Sequence, residues 1–271
     1  MLELKDVSVV FNEGTTLEKR ALDHVSIHIK PGEFITILGS NGAGKSTFFN
    51  AVTGKAPVAS GNIILDGKDI TAQKEYQRSR LIGRLYQDPS QGTAPGLTVE
   101  ENLALAYSRS RGPFSIAVRK QEQEIFREKL KELNMGLEDR LKTPIGLLSG
   151  GQRQAVALMM SVLNPPKLLL LDEHTAALDP KSAETILKIT EQLIRQEHMT
   201  ALMITHNMKN ALEYGDRLLI FNDGKISQDF NAEEKAKLTP ADLLEYYEAR
   251  EGKRKRCPVG LSESGKASGR V

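Results

Sequence analysis

The stretch Phe34-Ile-Thr-Ile-Leu-Gly39-Ser-Asn-Gly-Ala-Gly44-Lys45-Ser46-Thr47 decides how this chain folds. Its first five residues form a short apolar run of the kind found in fully buried strands, and the residues from about Lys45 to Thr53 read as a helix. Between them lies G-x-x-x-x-G-K-[ST], placed where its mechanism requires it. Glycines let successive backbone N–H groups turn toward one phosphate. The helix N-terminus adds about half a positive charge to that cavity. The candidate nucleotide-binding residues are therefore Gly39, Ser40, Asn41, Gly42, Ala43, Gly44, Lys45, Ser46 and Thr47. Lys45 is expected to bridge the β and γ phosphates, and the Ser46 hydroxyl to bind Mg²⁺, a cation that prefers oxygen.

Outward from this unit, further buried-strand patterns occur at Leu168–Leu171 (LLLL), Ala201–Ile204 (ALMI) and Arg217–Phe221 (RLLIF). They alternate with helix-like segments at 180–197 and 207–214, a rhythm that predicts an α/β fold with a mainly parallel sheet. Residues 2–11 and 25–30 alternate apolar and polar side chains and read as half-buried antiparallel strands. The chain from about 98 to 165 is mostly helical, with Phe126, Leu130 and Leu133 on one face of a charged helix that ends near Asn134 and Gly136. Asp172 and Glu173 follow LLLL, at the strand end where open α/β sheets bind ligands. Asp172 suits a Mg²⁺ shell, and Glu173 can polarise a water aimed at a γ-phosphate.

The 271 residues are 39% apolar and 27% charged, enough for one large domain or a domain with a sub-domain. The net charge of +2 does not select nucleic acid as a partner. It divides into +5 from Arg250 onward and −3 before it. The one cysteine, Cys257, has no partner for an internal disulfide. The start, Met1-Leu2-Glu3-Leu4-Lys5, lacks the apolar core of a signal peptide. The longest nearly apolar stretch, Ala155–Leu163, is nine residues, against about 20 for a membrane-crossing helix. Residues 251–271, rich in Gly, Ser and charge, are expected to form a disordered basic tail.

The phosphate loop, then Leu148-Ser149-Gly150-Gly151-Gln152, LLLL-Asp172-Glu173, Ala177-Leu178-Asp179 and Thr205-His206 follow one another in the order and spacing that resemble the nucleotide-binding subunit of ABC transporters. The resemblance covers roughly residues 1–230. It implies a RecA-like P-loop NTPase core with an antiparallel β sub-domain and an α-helical sub-domain. Residues 1–86 and 165–230 would form the core and β sub-domain, 87–164 the helical sub-domain, and 231–250 a C-terminal helical segment, all within one ATPase domain of 1–250.

The resemblance also implies roles. Gln87 matches a glutamine that senses Mg²⁺ and the attacking water where the helical sub-domain joins the core. Asp179 matches an aspartate at the seam of a dimer, His206 a switch histidine at the γ-phosphate, and Phe11 an aromatic ring on which adenine stacks. Ser149, Gly150, Gly151 and Gln152 would read the nucleotide of a second subunit, so a homodimer is expected with ATP. Mg²⁺ would be held by Ser46, Gln87 and Asp172, while Glu173, His206 and Gln87 would carry catalysis.

Two residues depart from the family pattern: His174 stands where Pro is usual, and Ala155 where Arg is common. DEHTAALDPKSAE with THNMKNALEYGDRLL looks most like a bacterial subgroup of tryptophan and other aromatic amino acid uptake systems. The expected partners are transmembrane permease subunits and, through them, an extracytoplasmic binding protein, with the chain peripheral on the cytoplasmic face of the membrane. A cassette acting on DNA or ribosomes is the competing reading. It fits poorly, because only about 100 residues separate loop and signature, leaving no room for a long coiled coil, and the chain carries one cassette.

Overall fold

A computed structural model describes residues 1–107 and 118–246. The expected tail at 251–271, and 247–250 of the C-terminal segment, lie outside the described residues. Six strands form the larger sheet, in the order β10-β9-β3-β8-β7-β6. They are β3 (Phe34–Gly39), β6 (Ile82–Leu85), β7 (Leu168–Asp172), β8 (Thr200–Ile204), β9 (Arg217–Asn222) and β10 (Lys225–Phe230). All neighbours run parallel except β9 and β10, which are antiparallel. The smaller sheet is antiparallel throughout, in the order β2-β1-β4-β5, from β1 (Leu2–Phe11), β2 (Lys19–Ile29), β4 (Ser60–Leu65) and β5 (Lys68–Asp69).

Why the central strands read as unbroken apolar runs is visible in where alternate side chains go. Leu169 and Leu171, with Ala201 and Met203, pack into one core beside Phe126, Leu130 and Leu133. Leu168 and Leu170, with Leu202 and Ile204, pack into the other, beside Leu2, Leu4 and Ile63 of the smaller sheet and Phe48 and Phe49. Both faces of the large sheet are thus covered, so neither parity of residue can be polar. Burying each of these leucines stabilises the fold by about 2 kcal/mol.

The helices sort to the two faces accordingly. α1 (Lys45–Thr53) lies with the small sheet, and a short α2 (Glu75–Arg78) precedes β6. On the other face are α3 (Val99–Tyr107), α4 (Lys120–Lys131), α5 (Gly150–Val162) and α6 (Pro180–Gln196). α4 ends before Leu133, and Asn134 (φ 52°) and Gly136 (φ 66°) turn the chain away, as the sequence expects. After α7 (Met208–Glu213) and β10, a short α8 (Ala232–Lys235) and helical residues 240–246 make up the C-terminal segment. Among the described residues no helix is long and apolar enough to cross a membrane.

One buried cation joins these layers. Arg78 is 2% exposed. It donates Nη1 to the carbonyls of Ala51 (2.8 Å) and Val52 (2.9 Å), Nη2 to Thr71 (2.8 Å) and Nε to Gln73 (3.0 Å). Two of these acceptors are last-turn carbonyls of α1, so the guanidinium satisfies and offsets the negative end of that helix. Arg78→Met leaves several buried carbonyls without donors and should cost about 3 kcal/mol in denaturant unfolding. A loss below about 1 kcal/mol would contradict this account of the cap.

Candidate functional site

The phosphate loop leaves the end of β3 and runs into α1, as its spacing predicts. Gly42 (φ 81°) and Gly44 (φ 105°) adopt left-handed conformations that other residues resist. At Gly44 a Cβ would stand 2.8 Å from the Ala21 carbonyl oxygen, so the loop is pressed against β2 and admits no side chain there. α1 begins with no side-chain cap and no acidic residue in its first turn. Its leading N–H groups are therefore open to an anion. These features fit a nucleotide phosphate.

Lys45 is buried, and its Nζ donates to the loop's own carbonyls at Gly39 (2.6 Å) and Ser40 (3.0 Å). Burial pushes its ammonium below the ordinary lysine range, while the charges of Glu173 and Asp172 oppose that shift. A phosphate reaching this ammonium would restore the charge balance that burial removes.

A cleft of 190 Å³ holds this loop, from Asn41 to Thr47, together with Phe11, Lys19, Ala21 and Glu173. Phe11 is 39% exposed at the end of β1, available for stacking and not part of the core. Lys19 and Ala21 were not foreseen, because β2 starts six residues earlier than the alternation at 25–30 indicates.

Glu173 follows β7 with φ 47°, a left-handed backbone rare for a residue with a side chain. Its N–H donates to the Ile204 carbonyl (3.2 Å), which holds the bend. Holding that conformation costs about 1–3 kcal/mol. The Glu173 carboxylate lies 3.5 Å from Nδ1 of His206, which follows β8. The structure therefore brings the phosphate loop, Glu173 and His206 together.

Asp172 is also near, but with a partner that the sequence did not announce. Its Oδ2 accepts from Arg84 Nη2 at 2.6 Å, and Arg84 Nη1 donates to Asn50 Oδ1 at 2.7 Å. Among the described residues, the other carboxylate oxygen, Oδ1, takes part in no hydrogen bond. A Ser46 hydroxyl and an Asp172 carboxylate are the hard oxygen donors that suit Mg²⁺.

The remaining expected residues stand apart. Gln87 is exposed on the segment leaving β6 and does not line the phosphate-loop cleft. Ser149 caps α5, its Oγ accepting from the Gln152 N–H (3.2 Å) and Gln152 Oε1 accepting from the Ser149 N–H (3.4 Å). Asp179 caps α6 by accepting from the Ser182 N–H (3.0 Å), and bonds to Ser182 hold its carboxyl below the usual range. A Cβ on Gly151 would stand 3.1 Å from Ser182, so the signature packs closely on the start of α6. None of Ser149, Gly150, Gly151, Gln152 or Asp179 lines the cleft of its own chain's loop.

His174 is fully buried, and its Nε2 lies 3.2 Å from the Thr190 hydroxyl. That hydroxyl donates to the Ile186 carbonyl (2.7 Å), so it must accept from the imidazole, which fixes the proton on Nε2. The ring thus ties the residue after Glu173 to α6.

Two outcomes follow from this geometry. Phe11→Ala should weaken ATP binding about three- to tenfold in a fluorescence titration, and an unchanged Kd would place Phe11 outside the purine site. Burial pushes the His174 imidazole from 6.5 down to about 4. Between those pH values the unfolded chain binds a proton that the folded chain refuses. Stability from this residue is therefore intact above pH 6.5 and is lost as pH falls toward 4, by at most about 3 kcal/mol. His174→Gln should flatten that acid limb in unfolding measurements; an unaltered slope would contradict the burial argument.

Comparison with known proteins agrees with this site. The ABC transporter family model matches residues 22–176. The tyrosine transport ATP-binding protein of Clostridioides difficile is 41% identical over 248 residues, covering 92% of this chain and 99% of that protein. The energy-coupling factor transporter ATP-binding protein EcfA2 of Acetivibrio thermocellus is 31% identical, covering 83% and 78%. Among solved structures, the dimeric, post-hydrolysis state of the ATP-binding cassette MJ0796 bound to ADP and Pi superposes with a TM-score of 0.73 at 28% identity, covering 86% of this chain and 99% of that one. With the loop, the paired carboxylates and the two covered sheets in place, this chain belongs to the ABC transporter family as one of its ATP-hydrolysing cassettes.

Proposed function

We propose that the chain drives uptake of an aromatic amino acid or a similar small solute, as a homodimer of cassettes beneath transmembrane permease subunits on the cytoplasmic face of the membrane. The observation that carries the ATPase half of this reading is the shared cleft: Glu173 lines the same space as Lys45, Ser46 and Thr47. Glu173 takes the proton of a water attacking the γ-phosphate, and His206, 3.5 Å from it, orients that carboxylate and reaches the same phosphate. Phe11 stacks the purine. Ser46 and Asp172 would hold Mg²⁺, which when bound neutralises charge on the phosphate oxygens; Gln87, outside the cleft in this structure, would have to move toward it to join them.

The dimer is supported by residues that lie outside the cleft of their own chain's loop. Ser149 and the glycines after it sit at the N-terminus of α5, away from the cleft of their own loop. In a head-to-tail pair they would meet the partner's γ-phosphate, with Asp179 at the seam.

The permease contact is supported by a 460 Å³ groove between the core and the helical layer, reached by Thr53, Gly83, Gln91, Asn102, Leu105 and Met160. It lies where β6 hands over to the segment containing Gln87, and Asn102 of α3 lines it. The solute assignment rests on the near full-length likeness to a tyrosine transport ATP-binding protein. An extracytoplasmic binding protein would select the solute from the far side of the membrane.

Glu173→Gln should lower ATP turnover by at least about 100-fold while ATP affinity stays within about threefold. A residual rate within tenfold of the unaltered chain would remove Glu173 as the base. For the solute, the cassette co-purified with its permease and binding protein and reconstituted in vesicles should hydrolyse ATP faster with tyrosine or tryptophan. Stimulation by a polyamine, and by neither aromatic amino acid, would overturn that assignment.

A further inference from the structure

We propose that Arg84 is a positioning residue for the cation half of the ATPase site, setting the span between the two cation donors Ser46 and Asp172. This rests on the reading of Asp172 as part of the Mg²⁺ shell. Arg84 lies in β6, its side chain 10% exposed, and its planar fork reaches two different elements. Nη2 grips Oδ2 of Asp172 on β7 at 2.6 Å, and Nη1 grips Oδ1 of Asn50 on α1 at 2.7 Å. Asn50 stands four residues after Ser46 on α1, so the two share a helix face. The guanidinium is therefore a strut of fixed width between the helix that presents Ser46 and the strand that presents Asp172. By holding Oδ2 it fixes the rotation of the carboxylate and leaves Oδ1 for the cation or its waters.

The way Arg84 is satisfied separates it from a structural cation. Arg78 spends its donors on four backbone carbonyls. Arg84 leaves Nε buried with no partner among the described residues. An orphaned buried donor costs about 1–3 kcal/mol, which this fold bears to keep the other two nitrogens on Asn50 and Asp172. The Tyr86 ring, with the guanidinium carbon 4.9 Å from its centroid, and the Phe49 ring at 6.0 Å hold the plane.

Positioning and charge predict opposite signs, which makes the inference testable. A second positive charge near a divalent cation repels it, so loss of Arg84 would tighten cation binding if charge dominated. Loss of an outer-shell orienting bond weakens it, commonly tenfold or more. We expect orientation to win, because the fork holds acceptor oxygens on two elements at once, Asp172 Oδ2 and Asn50 Oδ1, and a point charge does not.

The experiment is an electron paramagnetic resonance titration of Mn²⁺ on the full-length chain carrying one equivalent of ADP. ADP affinity in a chelator serves as the control for an intact phosphate loop. Arg84→Met should weaken Mn²⁺ binding about tenfold with chelated ADP affinity unchanged. Arg84→Lys, which keeps the charge but not the fork, should weaken it nearly as much. Asn50→Ala, which cuts the tether while leaving the Arg84–Asp172 pair, should weaken it about threefold and stands independently should Arg84→Met fail to fold. Unchanged or tighter Mn²⁺ binding in Arg84→Met, or native binding in Arg84→Lys, would overturn the proposal. Asp172→Asn separates the two failures. If it weakens Mn²⁺ binding and the Arg84 variants do not, only the positioning role falls; if it has no effect, the placement of Asp172 in the cation shell falls with it.

Discussion

Strands β3, β8 and β7 run parallel and in register, and the ATPase site is a consequence of that pairing. Asp172 lies abreast of Ile204, and Ile204 abreast of Ile37. The phosphate loop starts two residues beyond Ile37, His206 comes two beyond Ile204, and Glu173 one beyond Asp172. Three segments distant in the chain thus emerge side by side along one sheet edge. That edge is where the amide groups of the loop and the N-terminus of α1 supply positive potential. The covered faces make the register rigid, since a slip of one residue would exchange the two cores that Leu168 to Leu171 feed by turns.

On the proposed head-to-tail pairing, the cleft so formed is one half of a site. It has a cradle for phosphates, a strained carboxylate and a histidine, and the other functional residues carry local structural duties in their own chain. Ser149 and Gln152 close a capping box on α5, and Asp179 caps α6. Those caps place the N-termini of two helices beside each other, with Gly150 against Leu178 and Gly151 against Ser182. A surface built from helix N-termini and close-packed glycines is suited to an anion presented from outside, which is what a second cassette would bring.

Much of this was legible in the sequence because the decisive signals are local. The loop, the LLLL run and the helix at 180–197 each carry their periodicity or motif within a dozen residues, and the structure places them within a residue or two of expectation. β6 and β10 carry no strand pattern in the sequence. Ile82-Gly-Arg-Leu85 is four residues long with a glycine and a cation inside it, and Lys225–Phe230 is a half-buried edge strand without clear alternation. Arg84 was illegible as a site residue for the same physical reason: its counter-charge lies 88 positions away, and only the β6–β7 pairing brings them together. The start of β2 was missed because Lys19 and Arg20 are exposed and polar, so Lys19 entered the cleft unannounced.

The claim that this cleft is completed by the opposite subunit is tested most directly by the solution mass of the full-length Glu173→Gln chain, measured by light scattering with and without ATP and Mg²⁺. The account predicts a monomer without nucleotide and twice that mass with it, the added Ser149→Arg substitution abolishing the change. A chain that saturates with ATP and stays monomeric would contradict it.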